Sequence, residues 1–281
     1  MTPTERRSAL RPVLPPPSRD WAFFFDLDGT LVEIESVPSR VHADAELRGL
    51  ISSLAVATNG AVAVITGRPI SDIDALFPML RLPVAGQHGV ERRTAGGVVL
   101  HHAFAAGALD AARRTLRDVV SRHAGLMLED KGLSLALHYR QAPRLASYAH
   151  RVMHGVRDAA GDEFCLQEGK RVVELKPAGR DKGLALFEFM DEPPFAGRMP
   201  LFIGDDVTDE HAFVVINTLG GLSVKVGRGR TAARHQLSSV KAVRQWLSQC
   251  FGPAPDETTA APDHASRTLP SYDHSAHDNS A

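Results

Sequence analysis

With 281 residues, 43% of them hydrophobic and 23% charged, the chain is long enough to bury one large core or two smaller ones. Its 32 Lys and Arg against 33 Asp and Glu give a formal net charge of −1, which argues against nucleic acid or an anionic membrane surface as the main partner. No run approaches the roughly 20 apolar residues of a membrane span. The start lacks the apolar stretch of a secretory signal, and two distant cysteines, Cys165 and Cys250, fit a reduced cytoplasmic setting better than a disulfide framework.

Residues 1–19 are rich in Pro, Arg and Ser without apolar periodicity and are expected to be disordered. The apolar run 21–25 then reads as a strand covered on both faces, and it ends in Asp26-Leu27-Asp28-Gly29-Thr30. Leu47, Leu50, Ile51 and Leu54 form a helical stripe that stops at Asn59-Gly60. A second strand over 61–65 runs into Thr66-Gly67-Arg68, Pro69 and Ser71 open a helix ending near Phe77, and a third strand covers 82–85. Further strands are predicted over 200–203 and 222–226, with a helix around Trp246 that packs on the sheet.

Between these segments the pattern changes. A helix over 108–123, strands over 126–129 and 133–139, a helix over 143–159 and a hairpin of strands 163–167 and 171–175 follow one another. The whole predicts an α/β fold: a doubly wound, mainly parallel, Rossmann-like sheet built from 20–103 and 175–251, with a small α+β cap domain of residues 104–174 inserted. The tail 252–281 is expected to be disordered, and its His264, His274 and His277 receive no role. Gly227-Arg228-Gly229-Arg230 is read as a turn, and the adjacent His101-His102 as a poor metal pair.

The chemistry lies at strand ends. In open α/β sheets the carboxyl edge is where ligands bind, and Asp26 and Asp28 leave the first strand there. Two close carboxylates call for a cation or a shared proton, though an Asp-Gly turn alone is also common. Gly204-Asp205-Asp206-Val207-Thr208-Asp209-Glu210 brings a second set of acids to the end of an apolar strand. Beside the first strand, Asp205 would complete a cation site with Asp26 and the main-chain carbonyl of Asp28. Asp206 and Asp209 would stand behind it, Asp209 also serving as a helix cap. Thr66, with Gly67 and Arg68, offers a hydroxyl and free N–H groups to a phosphate, and Lys182 offers an ammonium; a Thr-Gly turn and a solvated lysine are the plain alternatives.

In this order, the strand-end Asp-x-Asp-Gly-Thr, Thr66, Lys182 and the Gly-Asp-Asp run resemble the four signatures of the haloacid dehalogenase superfamily. More narrowly, Gly86-Gln87-His88-Gly89-Val90-Glu91, Glu174-Leu175-Lys176-Pro177 and Gly204-Asp-Asp-Val-Thr-Asp-Glu210 resemble the trehalose-phosphate phosphatase family, over roughly residues 20–250. The resemblance implies Mg²⁺-dependent hydrolysis of trehalose 6-phosphate in a monomer. Asp26 would be nucleophile and metal ligand, Asp28 proton shuttle and metal ligand, Asp205 metal ligand, and Thr66 and Lys182 catalytic partners. Substrate binding falls to Gly67 and Arg68 at the phosphate, and to His88 and the cap residues Glu129, Lys131, His138, Arg140, Lys170 and Glu174 at the sugar; for each cap residue singly a solvated hairpin tip is an equal reading, His138 also reads as a packed strand residue, and His88 as part of a structural loop. Two other functions stay open at this point: a phosphatase of a related sugar phosphate, and a non-catalytic module that binds one.

Overall fold

The computed structural model describes residues 12–35 and 40–252; the tail histidines lie outside them. An eight-stranded sheet has the order β12 (His235–Leu237), β11 (Leu222–Val226), β10 (Met199–Gly204), β1 (Trp21–Phe25), β2 (Val62–Ile65), β3 (Val84–Gly86), β4 (Glu91–Arg93), β5 (Val99–His101). The first six are parallel, and β4 and β5 fold back as antiparallel strands. Because β1 is flanked on both sides, its alternate residues point into different layers. Phe23 and Phe25 join α1 (Ala45–Ala57) and α7 (Val240–Phe251) on one face, while Ala22 and Phe24 join α5 (Lys182–Met190) and α6 (Glu210–Thr218) on the other. A Phe24→Ala change would remove a fully buried ring at a cost of about 3–5 kcal/mol.

Local chemistry sets the helix boundaries. Asp44 caps α1 by accepting from the Leu47 N–H, and the helix ends where Asn59 and Gly60 turn to positive φ. Asp181 caps α5 through the Leu184 N–H, so the helix starts at Lys182 itself rather than beyond it. A short helix α2 (Ile70–Leu76) follows β2.

The inserted unit has its own sheet, β6 (Met127–Asp130), β7 (Leu135–His138), β9 (Val172–Pro177) and β8 (Phe164–Gly169), antiparallel throughout. Helices α3 (Ala106–Arg122) and α4 (Ala146–Ala160) pack on it around Leu116, Leu137, Met153 and Val173, a core separate from that of the large sheet. Strand β9 stays in register with β8 to Pro177, so this sheet reaches three residues beyond the boundary drawn at 174.

One correction to the sequence reading concerns what was taken as irregular. Residues 12–19 are not a free segment: the Pro12 carbonyl accepts from His235 Nδ1, the Pro15 carbonyl accepts from Trp246 Nε1, and Leu14 packs on the core. The polar run Glu91–Arg93 forms a strand because its charges find partners; buried Arg93 donates to the Leu82 carbonyl and pairs bidentately with Asp74 at 2.7 and 2.8 Å. No helix among the described residues is long and apolar enough to cross a membrane.

Candidate active site

The pairing of Phe25 with Ile203 puts the ends of β1 and β10 side by side, so the first residues past each strand, Asp26 and the Gly204–Asp205 turn, meet at one edge. The Asp26 N–H donates to the Ile203 carbonyl, fixing the backbone at 2.9 Å. Its carboxylate is buried, and Lys182 Nζ donates to Asp26 Oδ1 (2.7 Å) and to Asp209 Oδ1 (2.6 Å). Asp209 Oδ2 takes the Asp206 N–H, so the acid that caps the turn before α6 also holds the lysine. Gly29, at φ +81°, is required here: a Cβ would overlap the Asp205 carboxylate.

Charges at this edge do not balance. Burial drives the Asp26 carboxyl well above its ordinary value, Lys182 opposes it, and Asp209 and Asp205 raise it further. Asp205 is raised too, chiefly by burial, with Lys170 opposing. Lys182 stays firmly charged although burial disfavours it, because Asp209 and Asp26 flank it. Carboxylate oxygens of Asp26, Asp205 and Asp209 lie within 4.8 Å of one another. An all-oxygen set with surplus negative charge fits a hard divalent cation such as Mg²⁺.

Asp28 stands nearer solvent and is held by Arg68, with Nε to Oδ2 at 2.6 Å and Nη2 to Oδ1 at 2.8 Å. Thr66 is buried at the end of β2, where its Oγ1 accepts from the Arg68 N–H. From the other side, the inserted sheet contributes Lys131, whose Nζ donates to the Gly67 carbonyl and Glu174 Oε2, both at 2.9 Å. Lys170 reaches Asp205 Oδ2 at 2.5 Å, His138 Nε2 lies 2.7 Å from Glu129 Oε2, and Arg140 donates to the Lys170 carbonyl. Burial opposes the charge on Glu174, yet Lys131, then His88 and Ser134, hold its carboxyl far below the usual range. Burial pushes the His88 imidazole below its ordinary value while Glu174 opposes; its Nε2 lies 3.3 Å from Glu174 and its Nδ1 is buried without a partner among the described residues.

Asp26, Asp28, Thr66, Gly67, Arg68, His88, Glu129, Lys131, His138, Arg140, Lys170, Glu174, Lys182, Asp205 and Asp206 line a single cleft of about 200 Å³ between the two sheets. Asp209 sits fully buried behind Lys182. Three polar residues of this region escaped the sequence reading. Gln87 lies inside a quoted motif but was given no task, Ser134 precedes an apolar strand, and Lys225 interrupts the apolar run of β11 to donate to the Asp205 carbonyl. A lysine in a buried strand was the signal available for the last of these.

A family model described as trehalose-phosphatase matches residues 24–243, which span the large sheet, the inserted unit and every residue of the cleft. The chain belongs to the trehalose-phosphatase family. Within that family it is 44% identical to the trehalose-6-phosphate phosphatase of Escherichia coli over 235 residues, covering 82% of this chain and 86% of the relative. It is 40% identical to a probable trehalose-phosphate phosphatase of Sinorhizobium fredii, covering 74% and 78%. Among solved structures, a trehalose-6-phosphate phosphatase related protein superposes with TM-score 0.67 at 28% identity, over 81% of this chain and 95% of that one. The C-terminal domain of the Candida albicans trehalose-6-phosphate phosphatase shares the fold with TM-score 0.71 at 22% identity, covering 81% and 90%.

Proposed function

We propose that the chain is a trehalose-phosphatase that hydrolyses trehalose 6-phosphate to trehalose and phosphate, with Mg²⁺ and through an aspartyl-phosphate on Asp26. The observation that carries this reading is the pairing of a buried carboxylate, Asp26, with Lys182 at the floor of a cleft whose other wall is a sheet rich in hydrogen-bonding side chains. A phosphate monoester needs its charge neutralised before a carboxylate can attack it, and the floor concentrates the groups to do so. Family membership supports the substrate.

In this reading Asp26, fixed by its main-chain bond to Ile203, attacks phosphorus in line as the bond from phosphorus to the sugar oxygen breaks. Asp28 gives its proton to the departing oxygen and then takes one from the water that hydrolyses the aspartyl-phosphate. The phosphate competes for Arg68, which in its absence holds the Asp28 carboxylate. Lys182 and the Thr66 hydroxyl hold phosphate oxygens. Asp26, Asp205 and the main-chain carbonyl of Asp28 would hold Mg²⁺, with Asp206 and Asp209 behind them, and the ion would supply charge neutralisation at the phosphate. Gly67 and Arg68 face the phosphate, and His88, Glu129, Lys131, His138, Arg140, Lys170 and Glu174 receive the sugar. A monomeric cytoplasmic enzyme completes the reading, supported by two free cysteines.

Phosphate release from a panel of sugar phosphates, with and without Mg²⁺, tests it. The expected outcome is Mg²⁺-dependent release with trehalose 6-phosphate preferred. Preference for another sugar phosphate overturns the substrate, and binding without release overturns the enzyme.

A further inference from the structure

The cleft joins two separately folded cores, so the position of one wall relative to the other depends on the contacts between them. Lys131 and Lys170 are contacts that substrate itself will contest. Beside the His88–Glu174 contact, a further polar connection among the described residues is buried. Gln87, 1% exposed, has its amide Nε2 3.1 Å from Glu91 Oε1 and its Oε1 3.0 Å from Ser134 Oγ. Ser134, fully buried, gives its one hydroxyl proton to Glu174 Oε1 at 2.6 Å with the Gln87 amide packed against the same Oγ, so a four-group line of contacts runs from the large sheet through Gln87 and Ser134 to a carboxylate lining the cleft.

The backbone around Gln87 is unusual in a way that serves this seam. Gln87 and His88 both adopt left-handed conformations, at φ 48° and 58°. For residues other than glycine such a conformation is disfavoured and persists only where the surroundings enforce it. Here the Gln87 N–H donates to the Arg68 carbonyl and the His88 N–H to the Thr66 carbonyl, tying the turn to the segment that presents Thr66. One strained turn therefore clasps the phosphate-facing loop with its main chain and the sugar-facing wall with its side chains. Glu91 completes the clasp by accepting from the Ile70 N–H at the start of α2.

We propose that Gln87 and Ser134 are positioning residues for sugar recognition, setting the Glu174 carboxylate, and with it the inserted sheet, at a fixed distance from the Thr66 loop. This inference rests on the proposed sugar-phosphatase reading. A hydrogen bond to a charged group contributes more than one between neutral partners, and its loss leaves Glu174 with a buried oxygen short of a donor. The effect falls on the sugar, since neither residue touches the phosphate floor.

The test uses the full chain with Ser134→Ala, Gln87→Leu and the double variant, each assayed on the sugar phosphate that the wild type prefers and on p-nitrophenyl phosphate, which has no sugar. Each single variant is expected to lower kcat/KM on the sugar phosphate about tenfold, mostly through KM, and to lower the ratio of the two substrates at least about fivefold. The double variant should lose no more than the worse single one, because both act through one contact. Equal losses on both substrates, effects that multiply in the double variant, or no change each overturn the proposal. Should Gln87→Leu fail to fold, Gln87→Asn, shorter by one methylene and equally polar, reads the same ratio. If the wild type prefers a sugar phosphate other than trehalose 6-phosphate, the substrate assignment fails while the ratio is still measured on that substrate.

Discussion

The two walls of the cleft handle charge in opposite ways. On the large sheet, Asp26, Lys182 and Asp209 are locked together at 2.6–2.7 Å with almost no exposure, and burial pushes Asp26 up toward its neutral form. On the inserted sheet, Glu174 and Glu129 are held down by partners, Lys131 and His138 respectively, against the same burial. A wall crowded with carboxyl groups is suited to holding a cation. A wall whose carboxylates stay ionised and paired offers fixed acceptors and donors to hydroxyls. The two walls belong to elements that fold around different cores, so the proposed chemistry and the proposed sugar recognition would be carried separately.

Replacing Asp26 by Asn should strike hardest at this division. Loss of the nucleophile is expected to reduce kcat by at least about 10³-fold while circular dichroism stays that of the wild type; activity within tenfold of the wild type would remove Asp26 from its role. Chelation should come next. Phosphate release is expected to vanish in excess EDTA and to return with added Mg²⁺, and release that persists in chelator would leave the floor's excess acid without its proposed partner.

Lys182→Met separates the walls by stability as well as rate. Breaking a buried ion pair leaves Asp26 and Asp209 uncompensated, an expected loss of about 3–5 kcal/mol in denaturant titration together with loss of turnover. Lys170→Ala on the other wall breaks a half-exposed pair and should leave stability within about 1 kcal/mol while raising KM. If both lysines behave alike, the contrast between the walls fails.

The smallest effect concerns acid. Glu174 has a folded pKa far below its usual value of 4.5, so its stabilising contribution is complete above that value and is lost as pH falls toward the folded one. Glu174→Gln should therefore flatten the decline in stability between about pH 4.5 and 3 seen by denaturant titration. An unchanged slope would mean that the Lys131 pairing contributes nothing to the folded state.

Much of the architecture is legible in the sequence because it is written in long apolar runs. Phe23 to Phe25 and Leu201 to Ile203 each end in acids, and two-sided burial leaves little choice but a central parallel sheet. What escaped was structure made by pairing rather than by apolarity. Arg93 enters a strand only because Asp74 meets it, and Pro12 and Pro15 are ordered by His235 and Trp246 more than 200 residues away. The strand-end acids are visible as a pattern, whereas the Gln87, Ser134 and Glu174 line has no pattern at all; it exists only once two sheets face each other.

The neighbours of β1 carry a consequence for how the chain is made. Its partner on one side, β2, follows within a few dozen residues, but its partner on the other, β10, begins only at Met199. A nascent chain emerging from the ribosome therefore holds Phe23 to Phe25 in a half-finished sheet with an open edge while the inserted unit, with its own apolar centre, is still being synthesised. Asp26 meets Asp205 and Asp209 last. The acids that repel one another are kept apart until Lys182 is already in the chain to receive them, and through that interval the exposed edge of β1 is the segment most open to aggregation.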